Sequence, residues 1–196
     1  MPNQISNNNT RIAKNTLLLY FRMLFTMAVS LYTSRVVLNT LGVENFGVYN
    51  VVGGIVSMLG FFNSSMATST QRFLNYEMGR NNGNGLREVF VNALNAHYLI
   101  GIITVIGLET VGLWFVYNKL NVPLGQFESA LWVFHCSVLS LFVSIISTPY
   151  NAAIIANERM GVYAYYSIIE VVLKLLIVYL LVVIPYNKLI MYGLLT

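Results

Sequence analysis

Four charged side chains lie inside long helical stretches of this chain: Arg22, Arg72, Glu170 and Lys174. Three are cations, and cations held among apolar neighbours can bind an anionic group such as phosphate. The same stretches carry Thr26, Thr33, Asn50, Ser57, Thr68, Gln71, Asn75, Ser144 and Asn151. Their hydroxyls and amides can hydrogen-bond a hydroxyl-rich ligand. No nucleophile–base set, phosphate loop or metal motif accompanies them, so the chemistry expected is binding rather than bond-making. The chain reads as no enzyme, with no cofactor. His97 and His135 fall on different stretches with no carboxylate or cysteine at metal spacing. They read as packed or hydrogen-bonded histidines rather than ligands. Glu109, near one end of its stretch, reads as a snorkelling or headgroup-contacting acid.

The elements that must position these residues are set by composition. Hydrophobic residues make up 57% of the chain and charged residues 9%. A soluble domain carries about 25% charged residues, so this chain cannot clothe a water-soluble globule. All seven acids are Glu, and the single cysteine, Cys136, rules out a disulfide framework. The net charge of +4 is no nucleic-acid signal, because most basic residues flank apolar runs. The expected fold is all-α: a polytopic membrane helix bundle of five full transmembrane helices and the start of a sixth. A polar tail, 1–14, precedes the bundle, 15–196. The spans are expected near 15–41, 46–78, 86–117, 127–157 and 162–184. A turn GVENFG separates the first two, RNNGNG the next two, and Pro185-Tyr186-Asn187 ends the fifth. The sixth apolar segment starts at Lys188 and stops at Thr196, too soon to span.

At about 100° per residue, Asn15, Arg22, Thr26, Thr33 and Thr40 fall on one face of the first span. Leu17, Leu24, Leu31 and Leu38 take the other. The second span aligns Asn50, Gly54, Ser57, Ser64, Thr68, Arg72 and Asn75, with Gln71 at the edge. The fourth aligns Ser137, Ser140, Ser144, Thr148 and Asn151, and the fifth Tyr163, Ser167, Glu170 and Lys174. Such stripes are either close-packing seams or the walls of a shared polar cavity. An intramembrane arginine costs about 2.5–3.5 kcal/mol on insertion scales, which favours the cavity. Glu170 and Lys174, four apart, form either a structural ion pair or part of that cavity. Pro149 is either a hinge or a bend.

Six basic residues (Arg11, Lys14, Arg72, Arg80, Arg87, Arg159) fall on one side of the expected topology and three (Arg35, Lys119, Lys188) on the other. The positive-inside rule then places the N-terminus in the cytoplasm. Arg11 and Lys14 before apolar residues outline a signal peptide, but Arg22 interrupts its core and no small-x-small site follows.

Three stretches, NTLLLYFRMLFTMAVSLYTSRVVLNTLGVENFGVYNVVGG, MATSTQRFLNYEMGR and STPYNAAIIANERMGVYAYYSIIEVVLKLLIVYLL, resemble the bacterial polysaccharide-biosynthesis flippases of the multidrug/oligosaccharidyl-lipid/polysaccharide exporter superfamily. LG-x-x-x-FG-x-Y in the first turn is the most specific part. The resemblance implies two helix bundles around a central cavity in the bacterial inner membrane. It implies alternating access that carries an undecaprenyl-pyrophosphate-linked oligosaccharide from the inner to the outer leaflet. Partners implied are the lipid bilayer, the lipid-linked oligosaccharide, a polysaccharide polymerase, and a C-terminal bundle that this chain does not contain. In that frame Arg22, Arg72 and Lys174 meet the pyrophosphate, and Asn50, Ser57, Gln71, Asn75 and Ser144 meet the sugars. Two other classes stay open: a multidrug exporter of the same superfamily, and a membrane enzyme or scaffold of polysaccharide assembly. A drug exporter would want acids in its cavity, and an enzyme would want larger loops.

Overall fold

A computed structural model of the chain describes residues 2–80, 83–120, 122–123, 125–183 and 188–195. Among these, every regular element is helical: α1 (Pro2–Met58), α2 (Phe61–Gly79), α3 (Gly83–Gly107), a π turn (Leu108–Gly112), α4 (Leu113–Lys119), α5 (Phe127–Ala156), α6 (Met160–Val183) and α7 (Lys188–Leu195). Four stretches are long and apolar enough to cross a membrane: Ala13–Gly79, Gly83–Lys119, Phe127–Ala156 and Met160–Val182. The Asn-rich start is helical, and α1 takes it in from Pro2.

The expected turn at GVENFG shrinks to one residue. Gly42 has φ 77 and ψ 165, and helix resumes at once on either side. Only glycine adopts that backbone without Cβ strain. The second expected span, taken as continuous to Met78, is instead broken at Leu59–Gly60. There Leu59 N bonds Val56 O and Gly60 N bonds Ser57 O, three residues back. Such tightened turns overwind the helix and shift the phase of every later side chain. α3 starts at Gly83, earlier than RNNGNG suggests. α5 ends in a Schellman-type cap: Arg159 N bonds Ile154 O, Glu158 N bonds Ile155 O, and Glu158 sits at φ 53. The expected break at Pro185-Tyr186-Asn187 lies outside the described residues.

Contacts fix the helix directions. Arg22 meets Ser167, and Tyr32 meets Tyr179, so α1 before Gly42 runs parallel to α6. Glu44 meets Gln126, Gly53 lies on Ser137, Asn63 meets Ser144 and Thr148, and Leu74 packs near Ala152. The stretch after Gly42 therefore runs parallel to α5. Phe90 packs on Tyr150, Gly101 on Phe142 and Gly112 on Phe134, so α3 runs antiparallel to α5. Val37, Leu41, Val52, Val133, Phe134, Val178 and Leu181 are among the buried residues of the main core. α5 is its central helix, and Pro149 lies within it, buried, with helix continuing on both sides. The outer faces are apolar: Leu17, Leu24, Leu31 and Leu38 are all exposed. That is the pattern of a bundle whose solvent is hydrocarbon.

Candidate functional site

The polar residues gather in two places. The first is the seam between α1 and α6. Arg22 Nη1 donates to Ser167 Oγ at 3.1 Å, and the guanidinium stands 4.6 Å from the centre of the Tyr163 ring. Ser167 Oγ in turn donates to Tyr163 O. A cation over an aromatic face gains about 0.5–2 kcal/mol, more as water leaves. Arg22 Nε is buried and has no hydrogen-bond partner. An unmet charged donor in such a place is a point where an anion would bind with gain. Farther along the seam, Tyr32 and Tyr179 join hydroxyl to hydroxyl at 2.7 Å. Thr26, Thr33 and Thr40 are half-buried on α1 and bond the carbonyls of Met23, Val29 and Val36.

The second place is a groove of about 490 Å³ between α5 and the stretch of α1 after Gly42. Asn50, Gly54 and Ser57 line it from one side and Ser137, Ser140 and Ser144 from the other, with Cys136 and Gly193 at its margin. Here the stripes expected on the second and fourth spans face each other. Asn50 Nδ2 donates to Phe46 O, Ser57 Oγ to Gly54 O and Ser137 Oγ to Val133 O. Bonding their own helix lets these groups enter an apolar bundle cheaply, and each oxygen keeps acceptor capacity toward the groove. None of the lining residues is charged.

Just beyond the groove, Asn63 bridges α2 to α5. Its Nδ2 donates to Ser144 Oγ at 3.1 Å, and Thr148 Oγ1 donates to Asn63 Oδ1. Thr148 is buried, one residue before Pro149. Asn63 is off the expected stripe, because the overwound turn at Gly60 rotates it inward. A Gly flanked by Leu59 and followed by Asn63 was the only signal for it.

The remaining candidates stand apart from both places. Arg72, Thr68 and Asn75 are exposed on α2, with Gln71 half-buried beside them, and Asn151 is exposed on α5. None of these lines the groove. Glu170 and Lys174 pair at 2.8 Å on α6, with Lys174 at 47% and Glu170 at 63% side-chain exposure. Sequence spacing missed a further pair. Glu109, after α3, and His135, on α5, meet at 2.9 Å. The two are far apart in sequence, and only the α3–α5 packing brings them together. Among the described residues no three His, Cys, Asp or Glu side chains converge to hold a metal ion. Set against family models, curated proteins and solved structures, the chain matches none.

Proposed function

We propose that the chain is one helix bundle of an inner-membrane transporter that flips a lipid-linked oligosaccharide, with its N-terminus in the cytoplasm. The observation that carries this reading is the groove. Asn50, Ser57, Ser137, Ser140 and Ser144 put hydroxyls and amides on facing walls of membrane-length helices. A sugar cannot cross hydrocarbon unaided and needs such a surface. Arg22, with its unmet Nε, is the cation available to a phosphate on the neighbouring seam. The lipid tail stays outside, in the bilayer.

The helix directions support five passes in this reading. α1 before Gly42 is parallel to α6, and the stretch after it is parallel to α5. α5 and α6 are joined by the short turn after Ala156, and the end of α6 (Val178, Leu181) shares a core with the start of α5 (Ala130, Val133). Opposite directions for α5 and α6 support a reversal of the chain at Gly42. The resemblance adds a second bundle that completes the cavity.

A second reading, an exporter of uncharged amphiphilic drugs, is favoured by a groove lining that holds neither cations for a phosphate nor the acids a cationic drug would want. One substitution separates the two. Ser140→Trp fills the groove from α5. Surface polysaccharide lost at normal membrane abundance supports the flippase. Unchanged polysaccharide with heightened drug sensitivity supports the exporter. No change in either sinks the groove as a substrate path. The topology is tested on a Cys136→Ser background by labelling Asn84→Cys and Asn118→Cys. Labelling from opposite sides of the membrane is expected, and labelling from one side overturns it.

A further inference from the structure

The seam between α3 and α5 is made by close approach. A Cβ on Gly101 would stand 3.0 Å from the Phe142 ring, and one on Gly112 2.9 Å from the Phe134 ring. Between these two contacts the helix takes its π turn, Leu108–Gly112. π turns re-aim side chains and recur at functional sites. Here the turn presents Glu109 to α5, where its Oε1 lies 2.9 Å from His135 Nδ1. Both residues belong to stretches long and apolar enough to cross a membrane. Neither belongs to the polar stripes, and the transport reading uses neither.

Their surroundings are apolar but open. Glu109 and His135 sit at the rim of a groove of about 350 Å³ walled by Ile102, Val105, Leu139 and Phe142. A second groove, on the α7 side of His135, adds Cys136 and the end of α7, Gly193–Leu195. α3 thus faces the pair with Glu109, α5 with His135 and Cys136, and α7 with no titratable group among these linings. Side-chain exposure is 47% for His135 and 33% for Glu109, so the pair is not sealed inside the bundle. Glu109 is ten residues before Lys119 and His135 eight after Phe127. That is about 12–15 Å of helix from the α4–α5 loop.

We propose that Glu109 and His135 form a proton-binding site that clamps the π turn to α5. Histidine changes charge near about pH 6.5 in ordinary surroundings, within the physiological range. With the proton on, imidazolium and carboxylate make a contact of no net charge. With it off, a neutral imidazole leaves the carboxylate charge beside apolar walls, which hydrocarbon penalises. The protonated contact is also the stronger hydrogen bond, since both partners are charged. The clamp is therefore closed with the proton bound and loosens when it leaves. It rests on the membrane reading of α3 and α5 and not on what is transported.

The test uses the whole chain in lipid nanodiscs and follows amide hydrogen exchange over 108–119. Wild type is compared with His135→Gln and with the near-isosteric Glu109→Gln at the same pH, which cancels the intrinsic pH effect on exchange. At about pH 5.5 the wild type is expected to exchange several-fold more slowly than either variant. At about pH 8 the three are expected to converge. His97→Gln is expected to keep the wild-type behaviour. A wild-type-to-variant ratio that is the same at both pH values overturns the proposal. So does a Glu109→Gln-to-His135→Gln ratio that changes between the two pH values, or a wild-type-to-His97→Gln ratio that does.

Discussion

The α1–α6 seam and the α1–α5 groove use polar residues in opposite ways. The seam holds a charge packed against a ring: Arg22 on Tyr163, tied to Ser167. The groove holds space without charge, walled by serines and an asparagine that bond their own helices. Both present the same signature along a helix, polar residues on one face. What separates them is the partner. Tyrosine and serine at 163 and 167 close around a guanidinium, whereas glycines at 53 and 54 and serines at 137 and 140 stand too short to fill the gap. A polar stripe in a membrane helix thus shows where the bundle is wet or bonded, and side-chain size on the facing helix decides which.

The largest expected effect comes from removing the charge of the seam. Arg22→Met keeps length and a favourable sulfur–ring contact with Tyr163 while removing an ion that costs about 2.5–3.5 kcal/mol to insert. Membrane abundance is expected to hold or rise, while polysaccharide export in native cells falls. Reduced abundance would make Arg22 a structural tie and leave the groove as the only substrate surface. Gly42 comes next, because it joins the two regions. Gly42→Val forces a β-branched residue to φ 77, a strain of about 1–3 kcal/mol. Both regions are expected to suffer together, read as lower abundance and faster proteolysis. Normal abundance would mean that another residue makes the bend.

A smaller effect is expected at the foot of the groove. Asn63→Leu removes the bridge to Ser144 and Thr148. Interhelical side-chain hydrogen bonds in membranes average about 0.6 kcal/mol and reach about 1.7. Thermal unfolding in detergent is expected to shift by a few degrees at most, since Thr148 also bonds Ser144 O. Adding Thr148→Val should change stability less than the sum of the two singles. Full additivity would mean that the bridge contributes nothing.

What the sequence made legible follows from period and polarity. Apolar runs with a 3.6-residue stripe located the helices, and Leu17, Leu24 and Leu31, set opposite the polar stripe, are exposed on the outer face. Facing stripes on the second and fourth stretches were also readable, and Asn50, Ser57 and Ser144 share the groove. Three features were not. The break at Leu59–Gly60 is a local overwinding, and nothing in a glycine forbids the helix from continuing. Asn63 became visible only through that break. The Glu109–His135 contact depends on a π turn and on two glycines admitting phenylalanines, which are tertiary facts. Charges were harder to place than hydroxyls. Arg72 and Lys174 have long stems, so a shared helical face does not fix where the charged end lies.

The smallest stability effect is expected at Glu170 and Lys174, and it sharpens the comparison most. The two pair at 2.8 Å one turn apart on α6, and Glu170 lies three residues past Ser167, the partner of Arg22. Both side chains are about half exposed, Lys174 at 47% and Glu170 at 63%. On the wet side of the bundle that the transport reading gives them, a pair of this spacing contributes about 0.3–0.5 kcal/mol, against about 3–5 for breaking a dry, buried one. Glu170→Gln, Lys174→Gln and the double change should therefore leave abundance almost unaltered. Export separates the possibilities. If Lys174 continues the cationic seam begun by Arg22, Lys174→Gln lowers export at normal abundance, and Glu170→Gln does so less. The double change then resembles Lys174→Gln. If each single change depletes the protein and the double restores both abundance and export, the pair is structural. In that outcome Arg22 alone carries the cationic character of the seam.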